Sequence, residues 1–255
     1  MKKFLVSLLK KLEWGSALSV RLTKLTHKAH VPTHPKHLID LGQWYYLKSI
    51  TPQDYILDLG CHAGERALTV AQKAKAVIGL DIDHKLLSQA TSEANRLGIT
   101  NIKFYSHDLE TRLRFPSHTF TKVFLFAVLE HIDHRDQLLT EIRRVLKPRG
   151  QFFLSVPNKN SSWKKLQRQV GLNSFADLDH KLEFSKTEVV ALLKANKYKN
   201  IKVKTTAVDT PLSGVIDAIG GISLTAYKRL MHWRLSKGRN HPQNSVGFLI
   251  TASHG

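Results

Sequence analysis

Short apolar runs alternate with longer amphipathic stretches through the middle of the chain. Five of these runs have the length of buried strands: Tyr55 to Leu57, Ala76 to Leu80, the run that ends at Asp108, the run within 119–131, and Gln151 to Val156. The stretches Glu65 to Lys75 and Gln137 to Leu146 have helical spacing. Strands that alternate with helices predict a parallel sheet covered by helices on both faces.

The two ends of the chain have looser patterns. Residues 3–27 predict an amphipathic helix that breaks near Gly15, and two prolines mark 30–37 as a linker. A helix is predicted over Lys36 to Ser49, with Leu38, Leu41, Trp44 and Tyr45 facing inward. Three further helices are predicted after residue 158: a basic helix over Trp163 to Val170, a helix that begins with the capping box Ser185 to Glu188, and a helix over Leu224 to Leu235. The closing strands are predicted over Ile201 to Thr206 and Val246 to Thr251.

The segment Tyr55-Ile-Leu-Asp-Leu-Gly-Cys-His-Ala-Gly64 places a glycine turn between a strand and a helix. Such a turn brings backbone N–H groups and the positive end of a helix close to a ligand. Asp81 ends the next strand about twenty residues later, where a carboxylate can accept both hydroxyls of a ribose. Asp108 ends the third strand, so acids lie at three successive strand ends. This pattern predicts a nucleoside-containing ligand.

These motifs resemble, in their order, the class I S-adenosylmethionine-dependent methyltransferases, and within them the small-molecule branch that includes quinone and glycan-linked enzymes. The resemblance covers roughly residues 53–158. It rests on five features: Asp58-x-Gly60-x-His62-x-Gly64, Asp81, Asp108, Val-Leu-Glu-His131 and Val-Leu-Lys-Pro-Arg-Gly150.

The resemblance implies an α/β fold with a Rossmann-like, seven-stranded, mostly parallel sheet whose last strand runs antiparallel. A helical N-terminal extension over 1–49 would precede a methyltransferase domain over 50–255. That domain would hold a cofactor core at 53–158, with acceptor-side segments, an insertion and the closing strands at 159–255. Helices would cover both faces of the sheet.

The cofactor implied is S-adenosyl-L-methionine. By resemblance, Gly60 and Gly64 line its methionine and ribose portion, Asp58 lies near the charged methionine group, Asp81 binds the ribose and Asp108 the adenine amino group. The remaining residues assigned to the cofactor are His62, Ile82, Leu109 and Phe126. His62 departs from the family pattern, because a glycine is expected there, but histidine tolerates a positive φ better than most large residues.

His131 is the candidate catalytic residue. Histidine is the side chain that ordinarily changes charge near neutral pH, which suits a general base that frees an oxygen or nitrogen lone pair. The alternative, which the sequence favours, is that Glu130 and His131 brace the following helix. His180 and Glu183 are weaker candidates on the acceptor side.

Net charge and cysteine usage set further expectations. The chain has a net charge of +19, of which residues 49–158 contribute only +2. Basic flanks favour an anionic or amphiphilic small-molecule acceptor, or merely keep the protein in solution. The single cysteine, Cys61, fits a reducing compartment, and no run of 18 apolar residues occurs, so the expected location is the cytoplasm. The N-terminal helix either contacts an anionic membrane peripherally or packs over the catalytic domain, and the pattern slightly favours packing.

Two alternative functions stay open: a methyltransferase acting on RNA or other nucleic acid, and a non-catalytic protein that binds S-adenosylmethionine. The basic flanks favour the first, but Phe126-Ala-Val-Leu129 replaces the Asn/Asp-Pro-Pro-aromatic motif of base N-methyltransferases. The glycine spacing also does not fit a nicotinamide-dependent oxidoreductase. No metal is predicted, because the histidines at 27, 30, 34 and 37 lie in or beside a linker with two prolines and no cysteine accompanies them.

Overall fold

The computed structural model describes residues 1–29, 33–39, 45–175 and 177–254. The chain divides into two compact units. The sheet unit comprises Tyr46–Pro157, Asp179–Lys204 and Phe248–Gly255, and the helical unit comprises Met1–Tyr45, Asn158–Leu178 and Thr205–Gly247. The sequence grouped the later segments with the methyltransferase domain, whereas here 158–178 and 205–247 pack with the N-terminal residues.

Within the described residues, the strands form one seven-stranded sheet in the order β3-β2-β1-β4-β5-β7-β6. The pairs β1–β2, β1–β4, β2–β3 and β4–β5 are parallel, and the sheet is mixed and mostly parallel, which confirms the predicted fold class. The strands are β1 (Tyr55–Leu59), β2 (Ala76–Asp81), β3 (Ile102–Ser106), β4 (Phe120–Phe126), β5 (Leu146–Pro157), β6 (Tyr198–Thr205) and β7 (Gly247–His254).

The order of the strands explains where a ligand would lie. From β1 the chain moves outward to β2 and β3, then returns to pair β4 on the other side of β1. In such sheets a crevice opens beyond the carboxyl ends of the strands at this reversal. The ends of β1, β2 and β4 therefore define the candidate site.

Apart from the one over Lys36 to Ser49, the predicted helices are present, and two more, His84–Arg96 and Ser213–Ile222, were not predicted. They are α1 (Lys2–Lys11), α2 (Gly15–Leu25), α3 (Glu65–Ala71), α4 (His84–Arg96), α5 (Arg135–Val145), α6 (Ser162–Gln169), α7 (Lys186–Ala195), α8 (Ser213–Ile222) and α9 (Leu224–Asn240). The predicted capping box at the start of α7 is present, since Ser185 and Glu188 each bond the other's backbone N–H. None of the helices in the described part of the chain is long and apolar enough to cross a membrane.

The core of the sheet unit explains the apolar runs. Ile56, Leu57 and Leu59 of β1 are completely buried, as are Phe124 and Leu125 of β4. Central strands covered on both faces carry continuous apolar residues instead of alternating ones. The continuous apolar runs therefore predicted these strands correctly.

The predicted start of β5 and the predicted end of β3 were wrong. The sequence Lys147-Pro-Arg-Gly150 was expected to end a helix before a strand, but it lies inside β5 as an irregularity. The pairing jumps from Phe120–Leu146 to Lys122–Gln151, and Arg149 has a φ of 62°. A bulge thus absorbs the turn residues without ending the strand. β3 also ends at Ser106, two residues before Asp108.

In the helical unit, small residues let helices approach closely. A Cβ on Gly214 of α8 would collide with the carbonyl oxygen of Leu12, and a Cβ on Gly221 would come within 2.5 Å of Leu22 of α2. Beside this contact, Asp217 accepts hydrogen bonds from Ser16 and from the Tyr227 hydroxyl, at 2.5 and 3.1 Å. The unit therefore has an organised interior of its own.

The predicted helix over Lys36 to Ser49 is only partly described. Its described parts are short 3-10 segments, Pro35–His37 and Tyr45–Ser49, and not a continuous α-helix. The predicted inward positions Leu41 and Trp44, and the linker residue His30, lie outside the described residues.

Candidate functional site

The turn that follows β1 is fastened to the end of β2 by three consecutive backbone amides. The N–H groups of Gly60 and Cys61 donate to the Leu80 carbonyl, at 2.8 and 2.9 Å. The N–H of His62 donates to the Asp81 carboxylate, with 2.8 Å between N and Oδ2. The turn and the predicted ribose-binding acid are therefore one rigid structure.

Positive φ angles explain the residue types in this turn. Gly60, His62 and Gly64 have φ values of 69°, 51° and 80°. A Cβ on Gly60 would collide with Val128, and one on Gly64 would come within 2.9 Å of Ala90 and Phe104. The two glycines are required both by their backbone conformation and by close packing, whereas His62 adopts the left-handed conformation with an exposed side chain. The departure from the family pattern leaves the turn intact.

Asp58 is a buried carboxylate near the carboxyl end of β1, just before the glycine turn. It is 2% exposed, and its Oδ2 atom has no hydrogen-bond partner among the described residues. Burial raises the pKa of Asp58 to about 7, while the nearby Arg66 guanidinium lowers it and the Asp81 carboxylate raises it further. A buried acid with an unsatisfied oxygen fits a positively charged donor from a ligand.

Asp81 is partly exposed at the end of β2, with its carboxylate held from both sides. Oδ2 accepts from His62, and Oδ1 accepts from the Asp83 backbone N–H at 3.0 Å. Each carboxylate oxygen keeps a second lone pair for a ligand hydroxyl. Ile82, the next residue, is 67% exposed. The arrangement fits a ribose with an apolar neighbour.

The two residues predicted to bind the adenine, Asp108 and Leu109, differ in their exposure. Asp108 is exposed, and its Oδ1 accepts from the Glu110 N–H at 2.9 Å, so the side chain shapes its own turn. Leu109 is 9% exposed and belongs to the hydrophobic core. Leu109 therefore exposes little of its side chain to a ligand.

Phe126 ends β4 and connects the cofactor side of the site to an aromatic core. The Arg66 guanidinium lies 5.0 Å from its ring centroid, and the Tyr46 ring stacks at 5.2 Å. The next residue, Ala127, has a φ of 56°, and its N–H donates to the Ser155 hydroxyl at 3.0 Å. The chain therefore turns sharply where β4 ends.

A cluster of titratable side chains follows this turn. The Nδ1 atom of His180 lies 3.0 Å from Glu183 Oε1, and its Nε2 lies 4.0 Å from Glu130 Oε1. The His131 ring packs edge-on against the His180 ring, at 4.8 Å between centroids. The structure thus brings together the candidate base His131 and the weaker candidates His180 and Glu183.

Some residues of the site were not predicted from the sequence. Arg66 follows the turn on α3, and its charge opposite to that of Asp58 was the available signal. Ala127 gave no signal, because alanine rarely adopts a positive φ. Glu110 was also missed: its carboxylate accepts from the N–H groups of Asp133 and His134, at 2.6 and 3.0 Å, and thereby joins the loops after β3 and β4.

Comparison with known proteins agrees with this geometry. The family described as "Methyltransferase domain" matches residues 57–154. YcgJ of Bacillus subtilis, named an uncharacterized methyltransferase, is 29% identical over 64% of this chain and 65% of its own length. The crystal structure of YcgJ covers 82% of this chain and 94% of its own, with a TM-score of 0.54 at 22% identity.

Two further relatives have named activities. The ubiquinone biosynthesis O-methyltransferase of Coxiella burnetii is 27% identical over 49% of this chain and 54% of its own length. The 23S rRNA (uracil(1939)-C(5))-methyltransferase RlmD of Photobacterium angustum is 37% identical over 32% of this chain and 42% of its own length. The match thus spans between two fifths and two thirds of each of these curated relatives.

Motifs, strand order and comparisons agree on the same region. The matched residues run from β1 to β5 and include Asp58, the glycine turn and Asp81. S-adenosylmethionine is the cofactor that this family implies. The match over residues 57–154, the named methyltransferase relatives and the fold together support a class I S-adenosylmethionine-dependent methyltransferase.

Proposed function

We propose that this protein transfers a methyl group from S-adenosylmethionine to an oxygen atom of a small-molecule, glycan-linked or lipid-linked acceptor. The observation that supports the proposal best is the pair of carboxylates at neighbouring strand ends. Asp58 is buried with an unpartnered oxygen, and Asp81 is fixed by the amides of the turn. A ligand with one cationic end and one ribose matches both.

The residues present fit this cofactor. Asp58 would hold the methionine ammonium group, because a buried carboxylate gains most from a charged donor. Asp81 would accept the ribose hydroxyls, Ile82 would contact the adenine ring, and Asp108 would accept from the adenine amino group. Gly60, His62 and Gly64 would provide the backbone against which the cofactor lies. When bound, the cofactor supplies a methyl group on a sulfonium, which leaves readily once a nucleophile is aligned.

The acceptor end would lie beyond Phe126, where His131 and His180 stand next to each other. In-line transfer depends mainly on orientation and on the exclusion of water. A base is needed only to take the proton from an acceptor oxygen, and His131 is the candidate for this role. The Asp179 carbonyl lies 3.3 Å from its Nδ1, which would fix the ring with Nε2 able to accept a proton.

Two points support oxygen as the methyl acceptor: the name of one relative and the properties of Cys61. The Coxiella relative is named an O-methyltransferase. The relative named for uracil C5 methylation favours the nucleic-acid alternative, but C5 chemistry requires a reactive cysteine nucleophile. Cys61 is buried within the turn, and burial together with the nearby Asp58 and Asp81 raises the pKa of its thiol. Cys61 is therefore unsuited to that step.

Methyl transfer is tested with methyl-labelled S-adenosylmethionine and three acceptor pools: a total lipid extract, an aqueous metabolite extract and total RNA. We expect protein-dependent label in the lipid or metabolite pool, and less label with the variant Asp81→Asn when the cofactor concentration is limiting. Label in RNA would support the nucleic-acid alternative. Tight cofactor binding without label in any pool would support a non-catalytic binding protein.

We further propose that the helical unit meets an anionic membrane surface. In α1 and the residues that flank it, Phe4, Leu5, Leu8 and Leu12 recur at helical spacing and are 75%, 55%, 50% and 36% exposed. Lys2 and Lys11 are exposed beside this apolar stripe, whereas Val6 points inward. A helix with an exposed apolar stripe flanked by lysines is typical of an interfacial helix.

The charge of the helical unit complements such a surface. Its segments contain 17 Lys and Arg residues and 5 Asp and Glu residues, a net charge of +12 out of +19 for the chain. A positive surface is attracted to anionic lipid headgroups, by about 1 kcal/mol for each lysine close to the bilayer. An acceptor linked to lipid would be found there.

A further inference from the structure

Two separate segments of the sheet unit bring three metal-binding side chains together. The ligand atoms of Glu130, His131 and His180 all lie within 4.8 Å of one another. Glu130 is 1% exposed, and both histidines are partly buried. The segments are joined through the backbone, because the N–H groups of Lys181 and Leu182 donate to the Glu130 carbonyl at 2.9 and 3.2 Å. The cluster is therefore fixed by the fold.

Each imidazole has its Nδ1 atom beside an oxygen that can accept a hydrogen bond from it. His180 Nδ1 lies 3.0 Å from the buried Glu183 carboxylate, and His131 Nδ1 lies 3.3 Å from the Asp179 carbonyl oxygen. A ligating histidine commonly donates its other ring N–H to a carboxylate or a backbone carbonyl, which fixes the tautomer. The Nε2 atom of His180 lies on the Glu130 side of its ring, 4.0 Å from Oε1.

We propose that Glu130, His131 and His180 bind a divalent first-row transition-metal ion such as Zn²⁺. Two imidazoles and one carboxylate suit Zn²⁺, Fe²⁺ or Co²⁺, whereas Mg²⁺ and Ca²⁺ prefer oxygen ligands throughout. Ligand atoms about 2.0–2.2 Å from a tetrahedral ion are about 3.5 Å apart. An ion would therefore draw these side chains together by about 1 Å, which small side-chain rotations allow.

The site has a chemical consequence that differs from the general-base role of His131. Three protein ligands leave one position of a tetrahedral ion for water or for an oxygen of another molecule. A metal ion in this place lowers the pKa of the oxygen that it binds. A histidine nitrogen bound to a metal cannot also accept a proton, so His131 would be a ligand in the metal-bound protein and a general base only in the metal-free protein. The metal site itself is defined by its ligands and does not depend on the methyl-transfer proposal.

The experiment uses untagged full-length protein, treated with a chelator and dialysed, and titrated with Co²⁺ while visible absorption is recorded. Calorimetry with Zn²⁺ gives the affinity, and Mg²⁺ is the comparison ion. We expect one Co²⁺ ion per chain at this site, with absorption bands typical of low coordination number, and no competition from Mg²⁺. His180→Ala should weaken binding at least about a hundredfold, and Glu183→Gln about tenfold, because it removes the orienting carboxylate.

The matched control is His134→Ala, since His134 is an exposed histidine in the loop after β4 and outside the cluster. This variant should bind Co²⁺ as the unchanged protein does. The affinity for S-adenosylmethionine and the thermal unfolding of each variant show that it is folded. Equal Co²⁺ binding by His180→Ala and His134→Ala would overturn the proposal, as would the absence of stoichiometric binding by the unchanged protein.

Discussion

The backbone N–H of His62 donates to the Asp81 carboxylate, with 2.8 Å between N and Oδ2. This bond joins the turn after β1 to the end of β2. It also explains why a residue other than glycine is tolerated at position 62. The site uses the amide of His62, which a φ of 51° directs at Asp81, and the imidazole is exposed.

Replacing His62 tests this interpretation. The change His62→Gly should leave the affinity for S-adenosylmethionine within about twofold and the stability within about 1 kcal/mol, because glycine adopts positive φ freely. The change His62→Val should lower the free energy of unfolding by about 1–3 kcal/mol, since a β-branched residue is strained there. Urea unfolding and calorimetry measure the two effects. A tenfold or larger loss of affinity in His62→Gly would show that the imidazole itself contacts the cofactor.

Asp58 should make the stability depend on pH. Burial raises its pKa to about 7 in the folded protein, above the ordinary value near 4 in the unfolded chain. The folded state therefore binds more protons between these values, and this contribution to stability decreases as pH rises from about 4 to about 7 and is constant above. The variant Asp58→Asn should lack this decrease, which corresponds to about 1.4 kcal/mol for each pH unit.

Urea unfolding of both proteins at pH 5 and at pH 7.5 measures the difference. The stability of Asp58→Asn relative to the unchanged protein should be greater at pH 7.5 than at pH 5. A difference that does not change with pH would mean that Asp58 is ionised throughout. Cofactor affinity should fall in this variant, and more at pH 7.5 than at pH 5, because the Asp58 carboxyl is mostly ionised only at the higher pH and an amide cannot replace a charged partner of an ammonium group.

His131→Ala should lower the rate of methyl transfer by about two orders of magnitude while cofactor affinity stays nearly unchanged. His131 lies after β4 and is separate from the carboxylates at the ends of β1 and β2. Single-turnover rates with labelled cofactor, together with thermal unfolding, separate a chemical role from a supporting one. If the rate follows only the fraction of folded protein, His131 merely braces the loop.

The apolar stripe of α1 should control binding to membranes. The protein should sediment with vesicles that contain phosphatidylglycerol and not with neutral vesicles, and rising salt should release it. The double change Phe4→Ser and Leu8→Ser should weaken this binding at least about tenfold, because two apolar side chains no longer enter the interface. The control Leu97→Ser replaces an apolar residue of the sheet unit that is 45% exposed, compared with 50% for Leu8. Failure of the unchanged protein to bind anionic vesicles at low salt would refute membrane contact.

The sequence predicted the elements whose signals are local. Buried strands such as β1 and β4 are continuous apolar runs, and the capping box of Ser185 and Glu188 predicts the start of α7. The positions of Asp58 and Asp81 at strand ends followed from the same pattern. These features need no knowledge of distant residues.

Other features depend on contacts between distant segments, and local patterns could not reveal them. Lys147 to Gly150 reads as a stop, but pairing with β4 keeps it inside β5. The cluster of His131 with His180 joins residues that are 49 positions apart through main-chain bonds from Lys181 and Leu182 to Glu130. The packing of 205–247 with the N-terminal helices likewise depends on glycines that meet only in the fold.

The most direct measurement is the calorimetric titration of S-adenosylmethionine into the unchanged protein, Asp81→Asn and Asp83→Asn, with NAD as the comparison ligand. Asp83 caps α4 through the N–H groups of Lys85 and Leu86, a role that asparagine fills equally well. We expect S-adenosylmethionine and not NAD to bind the unchanged protein. Asp83→Asn should bind alike, and Asp81→Asn should lose about 1–3 kcal/mol, or about 5- to 150-fold in affinity. Equal affinity in all three proteins, or tighter binding of NAD, would contradict the assignment of this site.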